Sequence, residues 1–156
     1  MSKLKSSSTI SFDPQVGNLP TPINASPLIH WYINNLPAYR SGLAPQRRGL
    51  EIGMAHGYLL FGPFALLGPL RDSDLPNLAG LFGTLGLVVI LAACLFLYSS
   101  TNPGRPIATF TTPNPPVDLQ TAEGWGQFTS GFLLGGVGGA LVAYGVTTVL
   151  SLLGFI

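Results

Sequence analysis

The chain has 156 residues, of which 8% are charged and 47% hydrophobic, whereas an ordinary soluble domain carries about a quarter charged residues. The net charge is +1 and no basic stripe alternates with aromatics, which excludes a nucleic-acid partner. A single cysteine, Cys94, excludes an internal disulfide and a cysteine-based metal cluster; inside its apolar run it reads as a small hydrophobe facing lipid or protein.

At this length one domain covers residues 1–156. The ionisable residues cluster before Leu50, around Arg71–Asp74 and between Arg105 and Glu123. Long uncharged runs separate them. A run of about 18 or more apolar residues is long enough to cross the roughly 30 Å hydrocarbon core. The predicted fold is therefore an all-α integral membrane protein, with three transmembrane helices and irregular proline-rich segments outside the membrane.

Residues 1–46 form the first extramembrane segment. Its opening, Met1 to Ser11, is polar, with no apolar core of a secretory signal, and is too short and arginine-poor for an organelle transit peptide. Pro14, Pro20, Pro22, Pro27, Pro37 and Pro45 forbid a long helix. One short helix fits between Ser26 and Asn35, with Ser26 as N-cap and Pro27 as its first residue.

The first span is predicted over residues 50–70, after Arg47 and Arg48 and up to Arg71, with Pro63 and Pro69 favouring a kink in its second half. Residues 71–76 make a short polar loop. The second span covers 77–98. Residues 99–125 are extended or irregular, because Pro103, Pro106, Pro113, Pro115 and Pro116 interrupt them. The third span covers 126–156, with Trp125 and Phe128 suited to an interfacial aromatic belt. Lys3, Lys5, Arg40, Arg47, Arg48 and Arg105 fall on one side and only Arg71 on the other. The positive-inside rule puts the N-terminus in the cytoplasm or its organelle equivalent, and three spans put the C-terminus opposite.

Two glycine patterns stand out. Gly49, Gly53 and Gly57 recur every four residues in the first span, and Gly131, Gly135, Gly139, Ala143, Thr147 and Ser151 do so in the third. Small residues at this spacing let helices approach closely in lipid. The neighbour is either the chain's own helix or another subunit.

Glu51 and His56 lie inside the first apolar run, where ionisable residues mark function by default. Five residues apart, they face about 140° away from each other, so two separate partners are expected rather than one shared metal. Glu51 either pairs with Arg47 and Arg48 at the helix surface or ligates a metal centre. His56 either bonds across helices or supplies an axial nitrogen to a chlorophyll magnesium or a haem iron, with Gly53 and Gly57 leaving room for a flat macrocycle. His30 reads as a surface or interface histidine. Asp72 and Asp74 read as a solvated turn, or as help for a hard cation if several chains converge. No Gly-x-Ser-x-Gly, Walker, His-Glu-x-x-His or Cys-x-x-Cys pattern is present, so no enzymatic activity is expected. A small carrier or channel subunit would need Glu51 and His56 on one aqueous path, and a haem enzyme subunit would need a second membrane histidine.

Several strings resemble the photosystem I reaction-centre subunit XI (PsaL) family. They are Tyr32-Ile-Asn-Asn-Leu-Pro-Ala-Tyr-Arg40, Arg48-Gly-Leu-Glu-Ile-Gly-Met-Ala-His-Gly-Tyr58, Gly62-Pro63, Gly68-Pro-Leu-Arg71, Glu123-Gly-Trp125 and Gly131-Phe132. The likeness extends from about Asp13 to Gly154 and favours the cyanobacterial form. It implies three membrane helices with a cytoplasmic or stromal N-terminus and a lumenal C-terminus in the thylakoid membrane. It implies a non-catalytic photosystem I subunit that binds chlorophyll a, β-carotene and lipid, with Glu51 and His56 as axial ligands to chlorophyll magnesium. It also implies contact with the core and small subunits and with its own copies in a trimer, or in some assemblies a tetramer. The last helix contributes to that contact, and the stripe from Gly131 to Ser151 is the candidate surface. A lumenal-side Ca2+ near Asp72 and the Pro69 carbonyl is a further implied feature.

Overall fold

The computed structural model describes residues 19–104 and 106–155; the polar opening stretch and Arg105 lie outside them. Four α-helices are present: α1 (Pro27–Asn35), α2 (Pro45–Leu67), α3 (Pro76–Ser100) and α4 (Ala122–Leu152). A short 3-10 turn, Val117–Gln120, precedes α4. No strand occurs among the described residues. α2, α3 and α4 are each long and apolar enough to cross a membrane.

Proline sets three of the starts. Pro27, Pro45 and Pro76 stand in the first turns of α1, α2 and α3, where a missing N–H costs nothing and a fixed φ favours the helix. α2 therefore begins before Arg47 and Arg48 rather than after them, and it continues through Pro63 to Leu67. α4 starts earlier than the uncharged run because Thr121 caps it, its hydroxyl accepting from the Gly124 N–H at 3.0 Å. Glu123 then sits in the first turn, where the helix dipole favours an anion.

α2 and α4 run parallel, and α3 runs antiparallel against both. The α2–α4 seam is built from glycine on both sides. Where a Cβ would stand at Gly49, Gly53 and Gly57, the carbonyls of Phe128, Phe132 and Gly136 stand instead. Reciprocally, Gly131, Gly135 and Gly139 receive the carbonyls of Gln46, Leu50 and Met54. Both series advance by four residues, one helical turn at a time. The Gly131–Gly139 part of the stripe is thus spent on the chain's own first span, which corrects its assignment as a surface for neighbouring copies.

α3 closes the third side. Gly80 and Gly83 accommodate Ala65 and the Phe64 ring of α2, and Gly136 accommodates Val88. Thr84 and Val88 are fully buried, and the Thr84 hydroxyl donates back to the Gly80 carbonyl at 2.8 Å. One apolar cluster joins Phe61, Ala65, Leu81, Ala140 and Ala143. The other, nearer the N-terminal ends of α2 and α4, joins Val88, Ala92, Leu119, Phe128 and Phe132. Phe128 is therefore a core residue rather than part of an interfacial belt. Trp125 stands beside it, its indole N–H donating to the Leu119 carbonyl at 2.6 Å and its ring edge-on to Tyr98 at 5.0 Å. Away from the seams, Met54, Leu59, Leu66, Phe82, Ile90, Phe96, Leu134 and Leu141 are exposed, an apolar exterior suited to lipid or membrane-embedded neighbours.

Candidate functional site

The polar chemistry of the bundle gathers on α2. Its α4-facing arc carries Gly49, Gly53 and Gly57, so any side chain with chemistry must stand on the remaining arcs. Glu51 is six residues into the helix and His56 eleven, placing them roughly 9 Å and 16 Å along the axis from its start. Glu51 is thus near the membrane boundary and His56 near the middle of the span.

His56 is exposed on the helix surface. Its Nδ1 lies 2.8 Å from the Ile52 carbonyl. A carbonyl only accepts, so Nδ1 carries the proton, and in a neutral imidazole Nε2 then keeps its lone pair. The ring packs edge-on against Phe132 with centroids 5.5 Å apart, which restrains its orientation. A metal-ligating imidazole ordinarily has its second nitrogen anchored in this way. The residue thus fits an axial ligand directed outward. The room for a macrocycle does not come from Gly53 and Gly57, as the spacing suggested, because α4 fills that space. The open side of His56 is the helix surface outside the bundle.

Glu51 forms two ion pairs. Its Oε2 is 2.5 Å from Arg40 Nη2, and its Oε1 is 3.2 Å from Arg47 Nε one turn earlier. Each carboxylate oxygen offers about two acceptor directions, so the paired carboxylate retains free lone pairs. Arg48, expected as a partner for Glu51, turns inward instead. It is 3% exposed and donates to the carbonyls of Pro37, Arg40 and Leu43. The Arg40 partnership escaped sequence reasoning because Arg40 lies in a loop, where no helical spacing rule reaches.

The structure keeps Glu51 and His56 on separate arcs, each with its own partners: Arg40 and Arg47 for Glu51, the Ile52 carbonyl and Phe132 for His56. His30 packs edge-on against Phe110, while Asn34 of the same helix donates to the Thr111 carbonyl at 2.9 Å; both pin α1 to the 109–112 loop. At the opposite end Asp72 is 84% exposed and pairs with Arg71, Nε to Oδ2 at 3.4 Å. Among the described residues no three His, Cys, Asp or Glu side chains come together, so Asp72 has no cluster of ligating side chains around it.

Known proteins of one family resemble this chain over most of its length. The family model described as photosystem I reaction centre subunit XI matches residues 7–152. The chain is 62% identical over 141 residues to photosystem I reaction center subunit XI of Nostoc sp., covering 90% of this chain and 82% of that protein. The Picosynechococcus sp. protein of the same name is also 62% identical over 141 residues, with 90% and 93% covered. That of Crocosphaera subtropica is 54% identical over 132 residues, with 85% of each covered. By family match and by this level of identity, the chain belongs to the photosystem I reaction-centre subunit XI family.

Proposed function

We propose that this photosystem I subunit is a non-catalytic pigment-holding and assembly subunit of the thylakoid membrane, with its N-terminus on the stromal or cytoplasmic side. His56 and Glu51 each supply one axial ligand to the magnesium of a chlorophyll a. β-Carotene and lipid lie against the apolar exterior. When bound, chlorophyll absorbs light and passes excitation on; the chain's part is to fix where the ring sits and to keep water from its magnesium.

The observation that carries this reading is the anchored imidazole of His56. Its Nδ1–H is committed to the Ile52 carbonyl at 2.8 Å, and among the described residues no protein group bonds its Nε2. An ionisable side chain near mid-membrane with one directed lone pair is costly unless something uses it. A neutral metal centre in a flat apolar ring satisfies both the lone pair and the surrounding hydrocarbon.

Copies of the chain meet through the outward arc of α4. With Gly131, Gly135 and Gly139 committed to α2, the surface left is Leu134, Gly138, Leu141, Gly145 and Val149. A Cβ at Gly138 or Gly145 would meet nothing within 4 Å. Leu134 and Leu141, and Gly138 and Gly145, each recur after seven residues, the spacing of a helix seam.

The decisive experiment is His56→Leu in photosystem I purified from the producing cell. The variant should retain the subunit and lose one chlorophyll per monomer, with one component missing from the low-temperature absorption difference spectrum. Unchanged pigment content and spectrum would overturn the ligand role.

A further inference from the structure

The two arginines on Glu51 are not equivalent. Arg47 stands one turn earlier on the same helix with its side chain 71% exposed. Exposed pairs of this kind are screened by water and hold their partners weakly. Arg40 comes from outside the helix, and its presence depends on how residues 37–43 are folded back onto the start of α2.

Arg48 does that folding. Its buried guanidinium collects the carbonyls of Pro37, Arg40 and Leu43. Three carbonyls can converge because the chain turns sharply between Arg40 and Leu43, and Gly42 takes φ +72° there, a conformation glycine adopts without steric cost. The backbone of Arg40 is thus held by Arg48 while its side chain reaches forward to Glu51 Oε2 at 2.5 Å. No other carboxylate pairs with Arg40 among the described residues.

We propose that Arg40 is a positioning residue for the Glu51 carboxylate, set in place by Arg48, and that Glu51 holds its chlorophyll only while Arg40 is there. The inference rests on the reading of Glu51 as an axial ligand. Two guanidinium groups, one on each oxygen, fix the plane of the carboxylate and leave its remaining lone pairs pointing in defined directions. They also compensate a negative charge at the edge of the hydrocarbon, where an unpaired ion is expensive. Without Arg40, the carboxylate retains only the exposed Arg47 and swings toward it, away from the membrane.

The test uses intact photosystem I carrying variants of this chain, with chlorophyll per complex and the low-temperature absorption spectrum as readouts. Glu51→Leu first identifies the pigment and band that depend on Glu51. Arg40→Gln should remove or shift that same band, Arg40→Lys should restore most of it, and Arg47→Gln should leave it nearly in place. In a Glu51→Gln background, Arg40→Gln should add no further change, since the two residues act as one unit. A wild-type band and pigment count in Arg40→Gln would overturn the proposal. So would an equal effect of Arg40→Gln in both backgrounds, which is the mark of a general loop defect. If Glu51→Leu loses no chlorophyll, the ligand reading falls and the inference falls with it.

Discussion

A methyl group at Gly53 tests the central packing feature. A Cβ there would lie 2.8 Å from the Gly136 nitrogen and 2.9 Å from the Phe132 carbonyl carbon, and closer still to the Phe132 oxygen. Favourable separations between such atoms are about 3.5–4.0 Å, so α2 and α4 must part by roughly 1 Å. A gap of that size forfeits about a quarter to a half of each dispersion contact along the seam. The neighbours are backbone atoms of a continuous helix and have no rotamer to escape into. Overpacking of this kind costs about 1–3 kcal/mol, while the better helix propensity of alanine returns at most about 1 kcal/mol. The net expectation for Gly53→Ala is destabilisation of about 1–2 kcal/mol. Gly138→Ala, with nothing within 4 Å of its Cβ, should be neutral or slightly stabilising. The measurement is retention of the subunit in detergent-solubilised photosystem I over a heating series, followed on native gels. Equal retention of the two variants would refute the reciprocal glycine seam.

Two further outcomes follow from the same contacts. Gly138→Leu combined with Gly145→Leu should reduce oligomers on native gels while the monomeric complex keeps this subunit, whereas Gly135→Leu should deplete the subunit itself, because Gly135 faces the Leu50 carbonyl of α2; the reverse pattern would move the intersubunit surface back to the inner stripe. Arg48→Met should destabilise the chain by about 3 kcal/mol or more, since three carbonyls lose a buried donor at about 1–3 kcal/mol each; a heating curve like that of the unaltered complex would show that water replaces the guanidinium freely.

The helices were legible because their physical cause is one-dimensional. A run without charge is visible in sequence, and so is a proline at a helix start. Their ends were less so. Arg47 and Arg48 look like flanking cations, yet both belong to α2, because Glu51 takes one and three loop carbonyls take the other. The glycine stripes were visible, but their partner was not: spacing by four states that something approaches closely, whichever chain it comes from. The matching glycine triplets 49/53/57 and 131/135/139 were the available signal, since the glycines of the longer stripe equal those of the shorter one in number and spacing. The Arg40–Glu51 pair is set by a loop, and its formation depends on the φ of Gly42 and the burial of Arg48, neither of which has a periodic signature. For His56, the sequence showed an ionisable residue inside an apolar run and left its partner open. The direction it faces became clear only once α4 occupied the glycine arc.

Depth along α2 separates the two candidate ligands, and the separation has a consequence. Glu51, at roughly 9 Å from the helix start, remains within reach of Arg40 and Arg47. His56, near 16 Å, has a backbone carbonyl and an aromatic ring beside it and no ion pair among the described residues. An anionic ligand is sustainable where cations can reach it, and a neutral one is required where they cannot. Exchanging ligand types should therefore be asymmetric. Glu51→His puts a neutral imidazole where hydration and the arginines are both near, and the subunit should still insert and assemble. His56→Glu puts a carboxylate at mid-span without an arginine, at an insertion cost of about 2.5–3.5 kcal/mol by analogy with charged residues at a helix centre. Subunit abundance in membranes, measured against His56→Leu at the same position, isolates the charge from the loss of the imidazole. If His56→Glu accumulates as well as His56→Leu, its carboxyl is either protonated at that depth or met by a counter-charge from a neighbouring subunit, and the ordering of the candidate ligands by charge along α2 would lose its physical basis.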